Sequence, residues 1–218
     1  MPTARETLLD TALAALGAQP WSAVRMVDVA ARARVSRQTL YNEFGSKEGL
    51  ARALVRREAD LYLRGVEAVL GEPGPPARRL VSMAEWTVAA AAARPVLRAL
   101  LTGAWGDRLP VPRPARAGAR AAAVPEQRRA DAGVPSPGEL LGQARDRAVA
   151  LLAPAAEAGD PAGTVRSCEL ALRLALSLVV APAPGGARGD RVRLVRDALF
   201  PATMHQETGV RPAMPGGD

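Results

Sequence analysis

Four polar side chains, Arg37, Gln38, Tyr41 and Asn42, fall within six residues of each other, and their types suit the reading of DNA base edges. An Arg guanidinium can hold guanine with two hydrogen bonds. A Gln or Asn amide can do the same for adenine. A Tyr hydroxyl suits a phosphate oxygen. The four stand on a segment, Arg37 to Phe44, in which Leu40 and Phe44 are four apart and share one helical face. With those two inward, the polar four point outward. Lys47, the only lysine of the chain, follows Ser46 at the start of another helical segment. Free N–H groups there already favour an anion, so one phosphate can meet both the lysine and the helix end.

Such a face needs a small scaffold to present it, and the flanking residues supply one. Thr3-Ala4-Arg5-Glu6 fits a capping box. Leu8, Leu9, Ala12, Leu13 and Leu16 then recur at helical spacing. This predicts a first helix over 3–16, stopped by Gly17. Trp21 anchors a connector over 18–25. Val27 to Ala33 reads as a second helix, with Val29, Ala30 and Ala33 inward. Ser36 is a good N-cap for the third, Arg37 to Phe44. Two short helices joined by a tight turn make a helix-turn-helix, whose second helix lies in the DNA major groove.

Composition agrees with a mini-core in this region. The chain has 218 residues and seven aromatic rings. Three of the seven, Trp21, Tyr41 and Phe44, fall between positions 21 and 44. The net charge is +7, which draws a protein to nucleic acid. The charge is not gathered in one patch, however. Residues 1–64 carry ten basic and seven acidic groups, and the remainder nineteen and fifteen. The scarcity of lysine beside abundant Arg, Ala, Gly and Pro reads as codon bias. The arginines at 113, 116, 120, 128 and 129 accordingly read as a solvated loop.

Behind the head, a fourth helix is expected over 47–70, with Leu50, Leu54, Leu61, Val66 and Leu70 on its apolar side. The run Gly71 to Pro76 breaks it and marks a domain boundary. Helices follow over 76–93, 96–103, 139–153, 164–180 and 190–199. A partly mobile connection, with a helix near 114–123, spans 106–138, and 182–189 is a loop. The tail over 201–218 reads as disordered. The fold class is all-α. Residues 1–46 form a three-helix, helix-turn-helix DNA-binding domain and residues 47–70 a connecting helix. Residues 71–200 form a second, helical domain. Met83, Trp86, Leu97, Leu101 and Trp105 are candidates to line an apolar pocket there.

Asp28-Val29-Ala30, Val35-Ser36, Thr39-Leu40-Tyr41, Phe44, Ser46-Lys47-Glu48 and Leu50 resemble the DNA-binding signature of the tetracycline-repressor (TetR) family. The resemblance covers about residues 3–60. It implies DNA contacts from Ser36, Arg37, Gln38, Thr39, Tyr41, Asn42 and Lys47. It also implies an all-helical homodimer in which residues 71–200 are the ligand-binding and dimerisation domain, with a ligand pocket and a dimer-forming helix pair matching 164–180 and 190–199. Arg173 interrupts the apolar stripe of that pair and must reach a partner or the rim.

Three positions depart from the family pattern. Met26 stands where Thr is usual at the start of helix two, and Arg25 is the candidate to take over its phosphate contact. Arg34 replaces a turn Gly and is strained if φ is positive. Glu43 puts a carboxylate near the DNA, where it repels phosphate or reads a cytosine amino group.

The implied function is a DNA-binding regulator, a dimeric repressor of an inverted repeat that a lipophilic effector releases. The rival reading is a helical small-molecule sensor or interaction protein whose DNA head is impaired. Catalysis has no support: the one histidine, His205, lies in the tail, Cys168 sits on an apolar helix, and no cofactor or metal motif occurs. The longest largely apolar stretch, Leu174 to Ala183, is too short to cross a bilayer, which takes ~20 residues. The expected location is the cytoplasm.

Overall fold

The computed structural model describes residues 3–113, 133–155, 160–182 and 188–199, and of residue 155 and residues 188–192 the backbone alone. The segment 114–132 and the tail, with the helix expected near 114–123 and with His205, lie outside the described residues.

Among the described residues every regular element is helical: α1 Ala4–Ala18, α2 Met26–Arg32, α3 Arg37–Phe44, α4 Lys47–Gly71, α5 Pro76–Ala93, α6 Pro95–Thr102, α7 Pro137–Leu152, α8 Pro161–Val180 and α9 Arg188–Leu199. Short 3-10 turns follow α1 and α7, over Trp21–Ala23 and Ala153–Ala155.

The local chemistry explains where the first helices start. Thr3 and Glu6 close the capping box reciprocally: Glu6 N–H donates to Thr3 Oγ1 at 3.2 Å, and Thr3 N–H to Glu6 Oε2 at 2.8 Å. The Thr3 N–H and the Thr3 hydroxyl, both donating to Glu6 Oε2, hold the Glu6 carboxyl below the usual carboxylate range. α1 does not stop at Gly17, as the sequence suggested. It runs through to Ala18, because Gln19 N–H still reaches Ala15 O at 3.0 Å and the backbone turns extended only at Gln19. Ser36, Ser46 and Ser136 cap α3, α4 and α7 with their hydroxyls, satisfying N–H groups that have no partner inside the helix.

Two apolar cores form. The head core joins Leu8, Leu9 and Ala12 of α1, Val29 and Ala30 of α2, and Leu40 and Phe44 of α3 to Leu50 and Leu54 of α4, closed by Trp21. Burying each large side chain stabilises the head by about 1.5–3 kcal/mol. The body core begins on α4 at Val55 and continues through α5 to α9. α4 is therefore shared, and the cores meet within it at Leu54 and Val55, ahead of the break at Gly71. Leu16 packs against both. Leu61 is not on the apolar side of α4, as expected, but 37% exposed. The inward row runs Leu54, Glu58, Tyr62, Val66, Leu70, and Leu61 lies off it by one position.

In the body, α8 lies along α5, and α4 packs on α5 and α7. Trp86 stacks on Tyr62, with ring centroids 5.8 Å apart, and passes so close to Gly65 that a Cβ there would collide with the indole. Burial pushes the Tyr62 hydroxyl up to about 12, against the opposing pull of its contact with Thr87. Head and body are also strapped by the segment after α6. Trp21 N–H donates to Arg108 O at 2.9 Å, and Arg52 donates to Arg113 O at 2.9 Å. No helix of the described residues is long and apolar enough to cross a membrane.

Candidate nucleic-acid interface

α3 is set by three local features. Ser36 Oγ accepts the Thr39 N–H at 3.0 Å and lies 2.8 Å from the Thr39 hydroxyl. Leu40 and Phe44 are fully buried against α1 and α4. Gly45, at φ +69°, ends the helix, with its N–H on Tyr41 O. The chain then re-enters α4 so tightly that a Cβ on Gly49 would overlap the Phe44 carbonyl. Gly49 fixes the angle between the presenting helix and the long helix behind it.

The outward face is the one anticipated. Ser36, Arg37, Gln38, Tyr41 and Asn42 are exposed, and Thr39 is half-buried. Tyr41 is 43% exposed. Gln38 Nε2 donates to Asn42 Oδ1 at 2.9 Å, so the two amides are held in register one turn apart. Arg37 stands in the first turn, at the end of α3 that enters the groove in this motif.

Glu43 is half-buried and paired with α1. Arg5 of α1 donates to its carboxylate at 3.1 Å and to its backbone carbonyl at 3.3 Å, and the guanidinium also lies 4.8 Å from the Phe44 ring centroid. The carboxylate of concern is neutralised by an arginine from the first helix.

Lys47 is half-buried. Its Nζ donates to Ser22 O at 3.0 Å and sits 5.6 Å from the Trp21 ring centroid. Desolvation lowers its pKa, with Glu48 acting in the opposite sense. It remains at the N-terminus of a 25-residue helix, where an anion is favoured.

The departures at α2 have physical accounts. Met26 turns into the head core, so the thioether fills volume where a capping hydroxyl would stand. Arg25 is the N-cap residue without a side-chain cap bond, and its exposed guanidinium pairs with Asp28 at 2.9 Å. Arg34 has φ +56°, and it alone among the described non-glycine residues has a positive φ. The strain expected of an arginine in that turn is present.

The candidate pocket residues Met83, Leu97 and Leu101 are buried in the body core, and Trp86 and Trp105 pack partly buried against it. The two described cavities are lined by other residues. On α8, Cys168 is fully buried, and burial pushes its thiol up to about 11. Arg173 lies outside the apolar stripe, paired with Glu169 at 2.7 Å. Leu170, Val180 and Leu194 leave apolar surface exposed on α8 and α9, Val180 by 60% and Leu194 by 55%.

Sequence reasoning missed Glu58. It lies on the apolar row of α4, four residues from both Leu54 and Tyr62, and is 2% exposed. That spacing was the available signal. It also missed Arg5 and Arg108, whose partners are remote in sequence.

The family model described as bacterial regulatory proteins, tetR family, matches residues 8–54. Over 66 residues the chain is 46% identical to the HTH-type transcriptional regulator AlkX of Mycobacterium tuberculosis. That match covers 30% of this chain and 31% of the regulator, so it spans about a third of the relative's length. Among solved structures, the TetR family repressor AlkX from Dietzia sp., implicated in biodegradation of n-alkanes, superposes with a TM-score of 0.51 at 20% identity, over 89% of this chain and 90% of that one. A TetR/AcrR family regulator from Thermobifida fusca gives 0.54 at 18%, over 91% and 97%. At such identities the likeness speaks for the fold. Residues 8–54 thus match the model of the tetR family of bacterial regulatory proteins, and the helical chain as a whole has the fold of these solved regulators.

Proposed function

We propose that this protein is a sequence-specific DNA-binding transcriptional regulator, working in the cytoplasm as a homodimeric repressor of an inverted-repeat operator. The observation that carries the reading is the exposed polar face of α3, Arg37, Gln38, Tyr41 and Asn42, on a helix that Ser36 caps and Leu40 and Phe44 anchor. Thr39 and Ser36 supply hydroxyls for phosphate at the same end. Lys47 and Arg25 flank it. The Arg5–Glu43 pair offsets one of the three departures, beside Met26 and Arg34, that favoured an impaired head.

The exposed apolar side chains of α8 and α9 support pairing with a second copy through those helices. A dimer would set two copies of α3 in successive major grooves, about 34–36 Å apart. Release of DNA calls for a small, lipophilic effector in the helical body, and that effector must prefer the conformer that does not bind DNA, since tight binding alone shifts nothing. Met83, Trp86, Leu97, Leu101 and Trp105 are the apolar groups proposed to meet it.

The test is selection from a randomised duplex library with purified full-length protein at ~150 mM salt, where non-specific attraction is weakened. Enrichment of an inverted repeat is expected. No enrichment from folded protein would overturn the reading in favour of a helical sensor that no longer reads DNA.

A further inference from the structure

Between head and body lies a cavity of about 540 Å³. It falls where α1, the middle of α4, the α5–α6 junction and the segment after α6 converge. Leu13 and Leu16 form the head-side wall, and Pro95, Val96 and Leu109 the body-side wall. A space of this size suits a small ligand, and seams between structural units are where such sites concentrate.

Its one deeply buried polar group is Glu58. Oε2 of this carboxyl has no hydrogen-bond partner, although the residue is 98% buried. The nearest cation, Arg94 Nη1, is 3.7 Å away, outside hydrogen-bond range. Burial pushes the Glu58 carboxyl up, and Arg94 and Arg57 only partly offset this. An unmade hydrogen bond at such depth costs folding free energy. Glu58 is also one of the residues that line the cavity. Arg108 sits exposed at the rim.

The gap between Glu58 and Arg94 selects the head group. A hydroxyl donates to Glu58 Oε2 and accepts from the Arg94 guanidinium, so it satisfies both at once. An ammonium would meet Arg94 as a like charge. A carboxylate would meet ionised Glu58 as one. An alkane would leave Oε2 as it is.

We propose that this seam cavity is a binding site for a neutral aliphatic alcohol, its hydroxyl bridging Glu58 and Arg94 and its chain lying along Leu13, Leu16, Val96 and Leu109. The site is separate from the Met83–Trp105 group in the body core. It is also coupled to the DNA head: Leu109 lines it, and the adjoining Arg108 carbonyl holds the Trp21 N–H at 2.9 Å. That coupling rests on the DNA-binding reading, whereas binding itself does not.

The experiment is calorimetric titration of the full-length protein, without DNA, using 1-octanol, octylamine, octanoate and octane-saturated buffer as probes. Two variants accompany it. Glu58→Met removes the acceptor at similar length. Gly17→Met extends a side chain from a cavity-lining position where an added Cβ meets no atom within 4 Å, and leaves Glu58 untouched. We expect 1-octanol to bind most tightly and both variants to weaken it at least tenfold. Unchanged octanol affinity in Gly17→Met would overturn the location, and equal or tighter binding of octylamine or octanoate would overturn the head-group assignment. Should Glu58→Met fail to melt cooperatively, Gly17→Met alone decides. Because no DNA is present, a failure here is distinct from a failure of operator selection.

Discussion

Arg5 and Glu43 are 38 residues apart in sequence and 3.1 Å apart in space, joining the first turn of α1 to the last turn of α3. The contact does two things. It fixes the exit end of α3 against α1, and it cancels a negative charge on the element proposed to approach DNA. Both partners keep some solvent access, so the stability at stake is modest.

Arg5→Ala should cost about 0.5–1 kcal/mol of stability from the pair, with a similar amount from the loss of the guanidinium over Phe44. It should also weaken operator binding severalfold, because Glu43 is left uncompensated. The double variant with Glu43→Gln should regain DNA affinity but not stability. Urea melts and binding isotherms for the four-membered cycle separate the two effects. Unchanged affinity in Arg5→Ala would place Glu43 out of reach of phosphate.

Arg37→Ala should lose roughly 1–3 kcal/mol of operator affinity and relax sequence preference at one position of each half-site. Repeating the library selection with the variant reads this directly. Even weakening across all sequences would assign Arg37 to phosphate.

For Lys47 the two roles can be told apart by salt. If Nζ leaves Ser22 O for phosphate, Lys47→Met should weaken binding to all sequences and lower the salt slope by about 1 per head. An intact slope with a lower melting temperature would make Lys47 a brace between α4 and Trp21.

The turn at Arg34 should be improvable. A residue with a Cβ in the left-handed region costs roughly 1–2 kcal/mol, and glycine gives back ~0.5–1 kcal/mol through its freer unfolded chain. Arg34→Gly should therefore raise stability by about 0.5–1 kcal/mol in a thermal melt. A fall would mean that the Arg34 side chain makes a compensating contribution.

Cys168 should resist iodoacetamide in the folded protein and react on unfolding, since it is fully buried and its thiol is pushed up to about 11. The sign with pH follows. A thiol whose folded pKa is above its unfolded value of about 9 contributes fully below that value, and the contribution is lost as pH rises towards 11. Melting temperatures between pH 9 and 11 should fall more steeply in the wild type than in Cys168→Ala. Parallel curves would assign the loss to other groups.

The elements legible in the sequence are those whose causes are local. A hydroxyl three residues from its N–H partner marks Thr3, Ser36 and Ser46, and spacing alone puts Leu40 and Phe44 inward. What escaped depends on distant chain. Nothing near Glu43 announces Arg5, and nothing near Trp21 announces Arg108. Gly17 looked like a stop, but the hydrogen bonds of its turn continue to Gln19. Leu61 looked inward because an apolar residue was expected on every turn. In fact the row on that turn passes through Glu58 and Tyr62, and a carboxylate on an apolar row was itself the mark of the seam cavity.

The two cores meeting at Leu54 and Val55 bear on how such regulators are recombined. A chimaera that joins this head to a foreign body at that point cuts no core in half, and the graft point is one position on a continuous helix. Yet the head would arrive without residues 103–113, which hold Trp21 and Arg52 from the other side. Its Trp21 N–H would lose its acceptor. The transplantable unit is thus discontinuous: the first 54 residues together with a strap encoded some fifty residues later.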